Sequence, residues 1–548
     1  TIEDSLEAVS HAKGVRVVRA RALLDSIKTI RAAIDSLNKA EAPLPDSLRN
    51  RLNRLRGDSV LVAADSVLAD MKALADREAA VRARADSMRL GLLDSLRPDT
   101  VRYRAEERRI RVTLPRDMPR GTIVLRGGRA VTMKGKQIIE NADIVITDNK
   151  IVAVGKRDSV AIPAGARIVD VAGKTITPGF VDTHFHAQWL IPEIHPRQAW
   201  QYLTTLAYGV TTTRDPQTAS TDILSYQDRV DIGGMLGPRT YSTGPGVFIT
   251  ENIRDADHAK TVLRRYSEYY DTKTLKMYMS GNRQQRQWII QAAKELRLMP
   301  TTEGGLDFKL NLTHALDGYP GIEHALPIAP IYRDVVQLFK TSQTTNSPTL
   351  LVSYGGPFGE NYFYTTENVH DDAKLRRFTP EDNIDVRSRR RGANPGGAGW
   401  FLEDEYVFKK HAQFVKRLIE DSARAAVGSH GQLQGLGYHW ELWAMASGGL
   451  SNHDVLRAAT IYGAEAIGFG KDIGTIDAGK YADLLVFEAD PLADLRNSVK
   501  IQYVMKNGRL YESATLNEVW PRQLALPAQP WRTNRAEAEA QSGMMFMP

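Results

Sequence analysis

The chain has 548 residues, a formal charge of +7 and a hydrophobic fraction of 42%, enough to bury a sizeable core in more than one domain. It contains no cysteine, which excludes disulfides, thiolate metal ligands and a thiol nucleophile and leaves nitrogen and oxygen as donors for any metal. No apolar run reaches the length of a bilayer span, and the modest charge comes without an aromatic and basic nucleic-acid motif, so it reads as solvated surface.

Residues 1–98 differ in composition from the rest, rich in Ala, Leu, Arg and Asp and without glycine from Val15 to Arg56. Ile27, Ile30, Ile34 and Leu37 keep a three-four apolar spacing, as do Leu48, Leu52 and Leu55, which predicts amphipathic helices. The break at Pro43-Leu44-Pro45 followed by Asp46-Ser47 predicts a turn and a helix N-cap, hence an N-terminal α-helical hairpin suited to packing or assembly. The Asp-Ser pairs that recur there are irregularly spaced and read as compositional bias. The chain opens on Thr1 with neither a basic n-region nor an apolar h-region. That start suggests removal of a leader or a longer upstream segment and favours a periplasmic or secreted protein over a cytoplasmic one.

From Asp99 the pattern changes to alternation, and 101–104 and 109–114 read as strands of a β linker over 99–117. Short strands parted by Gly or Asn-Lys turns follow at 121–126, 142–147, 150–155 and 167–170, and a second set appears at 482–487, 501–505 and 508–511. One small β-sandwich built from both flanks, 118–175 and 474–515, accounts for both sets. A tail follows over 516–548.

Between the flanks, over 176–473, strand-like and helix-like stretches alternate. The first strand-like run is Ile176-Thr-Pro-Gly-Phe-Val-Asp-Thr-His184-Phe-His186. Alternate side chains of a strand face one way, so His184 and His186 are expected to point at one spot, an arrangement suited to a divalent metal. Further strands are predicted at 210–215, 239–243, 274–280, 298–303, 321–324, 348–354 and 425–430, with helices such as 283–298 and 404–422 between them. Eight strands with intervening helices predict an α/β fold of the (β/α)8 TIM-barrel type, with its chemistry at the C-terminal strand ends.

Four stretches carry a resemblance: Pro178-Gly-Phe-Val-Asp-Thr-His-Phe-His186, Gly209-Val-Thr-Thr-Thr-Arg-Asp215, Ile322-Glu-His324 and Gly479-Lys-Tyr-Ala-Asp-Leu-Leu-Val486. Together, and in this order, they resemble the amidohydrolase superfamily in its imidazolonepropionase- and prolidase-like branch, over residues 118–515. The runs 278–288, 300–305 and 428–432 look like the subgroup in which the barrel follows a TolB-like β-propeller, although this chain holds no blade repeats. The resemblance implies a β-propeller partner chain or an excised precursor half, a homo-oligomer, and a hydrolase that attacks an amide or cyclic amide with one or two metal ions. Zinc is the first expectation, with iron and manganese as alternatives.

Residue by residue, the resemblance implies that His184 and His186 are first-strand ligands, that Lys276 is the fourth-strand lysine carboxylated in some members, and that His324 is the sixth-strand histidine. Thr301 stands where the fifth strand usually offers a histidine, and His430 stands where the eighth offers the catalytic aspartate. Glu303, two residues past Thr301, shares its strand face and can replace the missing imidazole. His430 is a candidate ligand or general base, since a near-neutral imidazole takes a proton from metal-bound water. His314, His439 and His453 fall in helical patterns and read as structural.

The stretch 355–400 is long for a barrel connection and mixes Phe358, Tyr362, Phe363 and Tyr364 with Arg387, Arg389, Arg390 and Arg391. It reads as a lid, against a disordered insertion suggested by Asn394-Pro-Gly-Gly397. Arg389, Arg390 and Arg391 are expected to bind a substrate carboxylate, with Tyr278, Arg283 and Arg286 after the fourth strand as further substrate contacts. The leading function is metal-dependent hydrolysis of a small or peptide-like amide. The competing one is a barrel subunit that kept the fold for binding or assembly and lost turnover.

Overall fold

The computed structural model describes residues 112–187, 197–218, 222–388, 401–529 and 531, with single positions between 73 and 110. The chain divides into two units, Thr1–Val112 and Thr113–Pro548. In the first, the described positions from 73 to 87 are helical and exposed, while the turn and paired helices expected around Pro43 lie outside the described residues. The described positions of the strand predicted over 109–114 show no strand, and Ile110, Val112 and Leu114 are exposed. Alternation alone does not make a strand when no neighbour takes up the backbone hydrogen bonds.

The second unit has two parts. One is a nine-stranded sheet from both flanks of the chain: β1 (Thr122–Val131), β2 (Ile138–Thr147), β3 (Lys150–Lys156), β4 (Arg167–Asp170) and β5 (Thr175–Pro178), then β14 (Leu484–Phe487), β15 (Ile501–Lys506), β16 (Arg509–Glu512) and β17 (Glu518–Trp520). The flanks join where β14 runs antiparallel to β5, with Leu485 opposite Thr177. Ile123, Leu125, Ile144, Ile146, Ile176, Leu484, Val486 and Met505 form its apolar core, which burial draws together at roughly 25 cal/mol per Å² of apolar surface.

The other part is a barrel-type arrangement of eight short parallel strands in two runs. The first run is β6 (Phe180–Asp182), β7 (Val210–Asp215) and β8 (Arg239–Ser242); the second is β9 (Thr274–Met277), β10 (Met299–Thr302), β11 (Gly321–Glu323), β12 (Thr345–Ser347) and β13 (Arg424–Ala425). Hydrogen bonds cross both seams. Thr183 N donates to Val427 O at 2.9 Å, and Val247 N and Tyr278 N tie the segment after β8 to β9 at 2.9 and 3.0 Å. A buried ion pair, Arg239 to Asp483 at 2.6 Å, fastens β8 to the segment leading into β14; removing one partner of such a pair strands a charge.

One predicted strand is displaced, the seventh forming at Thr345–Ser347 before the run 348–354, and one is shortened, for local reasons. The run 348–354 is a turn with one helical loop over Leu350–Val352, because Thr349 takes a positive φ of 45° and the Glu441 carboxylate accepts the amide protons of Leu350 and Leu351. The run 425–430 pairs only over Arg424–Ala425. The expected helices are present as α4 (Arg283–Glu295) and α10 (Phe408–Glu420), numbered after α1 (Trp200–Ala207), α2 (Asp222–Asp231) and α3 (Ala256–Arg264), with α5 (Phe308–Leu316) and α6 (Arg333–Ser342) between. Helix α4 begins with a capping box, Asn282 accepting from Gln285 N while Gln285 reaches back, which satisfies two of its orphan N–H groups.

The described part of the insertion forms α7 (Gly359–Thr366), α8 (Ala373–Phe378) and α9 (Glu381–Ser388). Its aromatic cluster does not all border a pocket, as the lid reading expects. Phe363 is buried and stacked on Trp440 of α11 (Leu436–Ala446), ring centroids 5.5 Å apart and 12° from parallel, with Tyr364 edge-on to the same indole. These rings anchor the insertion to the barrel by burying apolar area. Among the described residues no helix is long and apolar enough to cross a membrane.

Candidate metal centre

The six residues that the sequence offers as ligands or catalytic groups lie at or just beyond the C-terminal ends of five barrel strands. His184 and His186 are not on the strand, as alternation predicts, since β6 ends at Asp182. The chain is held past that point by Asp182, which accepts from His184 N at 3.1 Å and from Ser429 N at 3.1 Å, so the first and eighth strand ends are laced together. Burial raises the Asp182 carboxyl to about 6.

Lys276 is on β9, opposite Thr301 of β10 in parallel register. Glu303 follows β10 by one residue, His324 follows β11 by one, and His430 lies five beyond β13. His324 and His430 have positive φ, 70° and 60°. Non-glycine residues in this region cost on the order of 1 kcal/mol or more each and collect at functional sites.

Four imidazoles meet. The His184 ring centroid is 4.8 Å from those of His186 and His324 and 5.0 Å from that of His430, and His186 is 4.5 Å from His430. His184 Nε2 and His186 Nε2 are 3.0 Å apart, and His184, His186 and His430 together offer three nitrogens within 4.8 Å of one another.

Residues around the rings decide where their protons sit. His184 Nδ1 donates to Glu323 Oε2 at 2.6 Å, leaving Nε2 as a bare lone pair. Glu323 is in turn held by Arg214 and by the Thr301 hydroxyl, both on Oε1. His186 has a backbone hydrogen bond with Gln217, while Asp215 Oδ1, 3.9 Å from His186 Nδ1, is beyond hydrogen-bond reach.

At His430, Gln432 Nε2 donates to Glu360 Oε1 at 3.1 Å, so its carbonyl oxygen is the atom 3.1 Å from His430 Nδ1 and must receive the proton there. The Thr349 hydroxyl donates to Pro348 O at 2.8 Å, so it accepts from His324 Nδ1 at 2.7 Å. His324 Nε2 then faces Glu303 Oε2 at 3.1 Å.

These tautomers test the fit of a cation. With its Nδ1 proton on Glu323, His184 Nε2 is a bare acceptor 3.0 Å from His186 Nε2, and it either takes a hydrogen bond from that ring or shares a cation with it. Protonating the rings is the costlier answer. Burial, then the Lys276 charge for His184 and the His430 charge for His186, holds both well below the usual imidazole value, and burial takes His430 down to about 3. Neutral, inward-facing nitrogens are the donor set a borderline divalent ion takes.

Beside the imidazoles, Lys276 Nζ is 2.7 Å from Glu303 Oε2 and 4.5 Å from the centre of the Tyr278 ring. Tyr278 stacks on Phe248 at 4.5 Å. The other proposed substrate contacts are committed elsewhere: Arg283 binds Asp317 through Nε and a terminal nitrogen, and Arg286 donates to Gly281 O. Arg389, Arg390 and Arg391 lie outside the described residues. His439 gives both ring nitrogens to Ser498 and Tyr208 O, and His314 meets the Thr302 hydroxyl, as structural histidines do.

Comparison with known proteins agrees with this geometry. Residues 387–511 match the Amidohydrolase family, and the chain is 25% identical to an imidazolonepropionase of Geobacillus sp. (strain WCH70) over 409 residues, 69% of this chain and 92% of that one. Together the family match and the imidazolonepropionase likenesses support the amidohydrolase superfamily. The chain is also 32% identical to a 5-methylthioadenosine/S-adenosylhomocysteine deaminase of Symbiobacterium thermophilum, over 14% of this chain and only 21% of that enzyme. Among solved structures, a Xaa-Pro dipeptidase with bound methionine in the active site superposes with a TM-score of 0.55 at 18% identity, over 72% of this chain and all of that one. A prolidase from Bifidobacterium longum gives 0.53 at 20%, over 78% and 99%. These two likenesses carry the amidohydrolase barrel fold alone.

The sequence reading missed the groups that orient the ligands. Glu323, Arg214 and Asp215 stood inside quoted motifs, yet nothing in a linear pattern says that a sixth-strand carboxylate reaches a first-strand imidazole. Glu360 and Gln432 are 72 residues apart, and no sequence signal joins them.

Proposed function

We propose that this amidohydrolase hydrolyses an amide-type C–N bond, peptide-like or cyclic, with a divalent metal held by His184, His186 and His430. The two seams of the strand runs are taken to close one (β/α)8 barrel around that seat. The observation that carries the reading is the 3.0 Å approach of two buried Nε2 atoms, one of them on a ring whose Nδ1 is held by Glu323. A divalent ion bound there supplies Lewis acidity and a more acidic water.

The protein supplies the rest. Glu323 keeps a proton on the Nδ1 atom of His184, so that ring's Nε2 points inward deprotonated. Gln432, oriented by Glu360, does the same for His430. Glu303, held low by the Lys276 charge acting against its burial, remains ionised and offers an anionic oxygen beside His324. His324, with Nδ1 on Thr349, is the group placed to hold or pass a proton at Nε2 next to that carboxylate. Tyr278 on Phe248, and Tyr354 at 5.8 Å from His324, supply apolar walls that exclude water from a substrate's acyl part.

Metal analysis of protein purified without chelators, combined with hydrolysis of a dipeptide and N-acyl amino acid panel, tests the reading. Metal-dependent turnover that His184→Ala abolishes is the expected result. Protein that takes up no metal defeats it, and bound metal with no turnover on any substrate favours the binding or assembly subunit.

A further inference from the structure

We infer that Lys276 is never carboxylated in this protein: its ammonium is a positioning cation for Glu303, and the centre holds a single metal ion. The inference rests on the metal reading above and adds to it the chemical state of one lysine.

The register of the sheet creates the pairing. Lys276 is opposite Thr301 on adjacent parallel strands, so Glu303, two residues on and on the same face, comes up beside the lysine's long side chain. The result is a 2.7 Å contact from Nζ to Glu303 Oε2, with the lysine side chain 1% exposed. The same nitrogen is 4.5 Å from the Tyr278 ring centre. Both neighbours suit a cation, a carboxylate in the ion-pair direction and an aromatic face in the cation–π direction.

Adding carbon dioxide to Nζ reverses that fit. The ammonium first loses a proton, the free amine nitrogen then bonds to the carbon of carbon dioxide and a second proton leaves, so a site of charge +1 becomes one of −1 with two protons released. The new anion then lies against the Glu303 carboxylate and over the negative face of Tyr278. Glu323, also charged against Lys276, is neutralised by Arg214, which leaves Glu303 with His324 as its remaining partner if Lys276 is lost to it. A second anion against a partly buried carboxylate is costly.

The donor count agrees. A second ion bridged by a carbamate needs further nitrogens on the fifth and sixth strands. Thr301 spends its hydroxyl on Glu323, so His324 alone is left, and it faces Glu303. Among the described residues only His184, His186 and His430 form a three-donor group. Glu303 therefore supplies the anionic oxygen that a carbamate would, without a second ion to bridge.

The test is a 13C spectrum of the intact protein equilibrated with 13C-bicarbonate, together with metal content after loading with zinc in the presence and absence of bicarbonate. The expected result is one ion per chain, unchanged by bicarbonate, and no carbamate resonance. A carbamate resonance that Lys276→Met removes, or a second ion that appears only with bicarbonate, overturns the inference while leaving the metal reading intact. No bound metal under either condition overturns both. In addition, Lys276→Arg should keep more turnover than Lys276→Met, because a guanidinium still positions Glu303 whereas neither residue forms a stable carbamate. Equal loss in the two variants, with metal content unchanged, counts against the positioning role.

Discussion

His184 Nδ1 donates to Glu323 Oε2 across 2.6 Å, and Glu323 is the residue immediately before His324, so the end of the sixth strand both orients a first-strand imidazole and presents an imidazole of its own. Because Arg214 and Thr301 hold the other carboxylate oxygen, the first ring cannot rotate without breaking a buried network.

Replacing Glu323 with Gln should weaken metal binding by about 10- to 100-fold, the usual effect of losing an outer partner of a metal-bound histidine. The more severe Glu323→Ala leaves the Arg214 guanidinium buried and unpaired, and should lower stability by about 3–5 kcal/mol. Metal titration and chemical unfolding of the two variants separate the effects. Unaltered affinity in Glu323→Gln would show that the hydrogen bond is incidental.

Gly428 touches the seat directly. A Cβ there would stand 2.6 Å from His184 Cβ and 3.3 Å from Thr349 Cγ2, displacing one ligand and the hydroxyl that orients His324. We expect Gly428→Ala to lose metal affinity while the circular dichroism spectrum stays close to wild type. If the variant binds metal as the parent does, the close packing of these strand ends is not what sets the site.

The insertion helix α7 acts on the eighth-strand histidine through Glu360 and Gln432. Glu360→Ala removes the acceptor that orients the Gln432 amide, so both amide orientations become available and His430 loses its fixed tautomer. Turnover should fall by about tenfold or more, with a smaller change in melting temperature. An unchanged kcat would confine the insertion to packing.

Phe363, expected from sequence to border the pocket, is instead in the core against Trp440. Phe363→Ala should therefore cost about 3–5 kcal/mol of stability and leave KM unaltered. A raised KM at full stability would restore the lid role to this ring.

Glu441 gives a pH signature away from the metal. It is buried, accepts from Leu350 N at 2.7 Å and Leu351 N at 3.0 Å, and burial pushes its carboxyl from 4.5 up to about 8. A folded value above the unfolded one means that the fold prefers the protonated form. This group's contribution is complete below about 4.5 and is lost as pH rises towards about 8. Glu441→Gln cannot ionise, so its deficit in melting temperature relative to wild type should shrink across that range. A pH-independent deficit would show that the carboxyl is ionised throughout.

The alternating strands and helices and the strands of the two flanks were legible in the sequence by itself, because strand periodicity is a local property. That the flanks form one sheet rather than a sandwich was not, and Lys276, His324 and His430 were singled out by resemblance to the amidohydrolase superfamily. The His-x-His pair could be placed at the end of a strand, though not beyond it, since the Asp182 contacts to Ser429 that carry the chain onward join positions 247 residues apart. Thr301 read as a gap where a nitrogen ligand belongs; only the tertiary structure turns it into a donor to Glu323. The same holds for Lys276. A sequence leaves open whether it is a carbamate or an ammonium, and the parallel register of β9 and β10 adds what the sequence lacks, the Glu303 carboxylate beside its amine. The charge state of a buried group depends on neighbours that the chain order does not disclose.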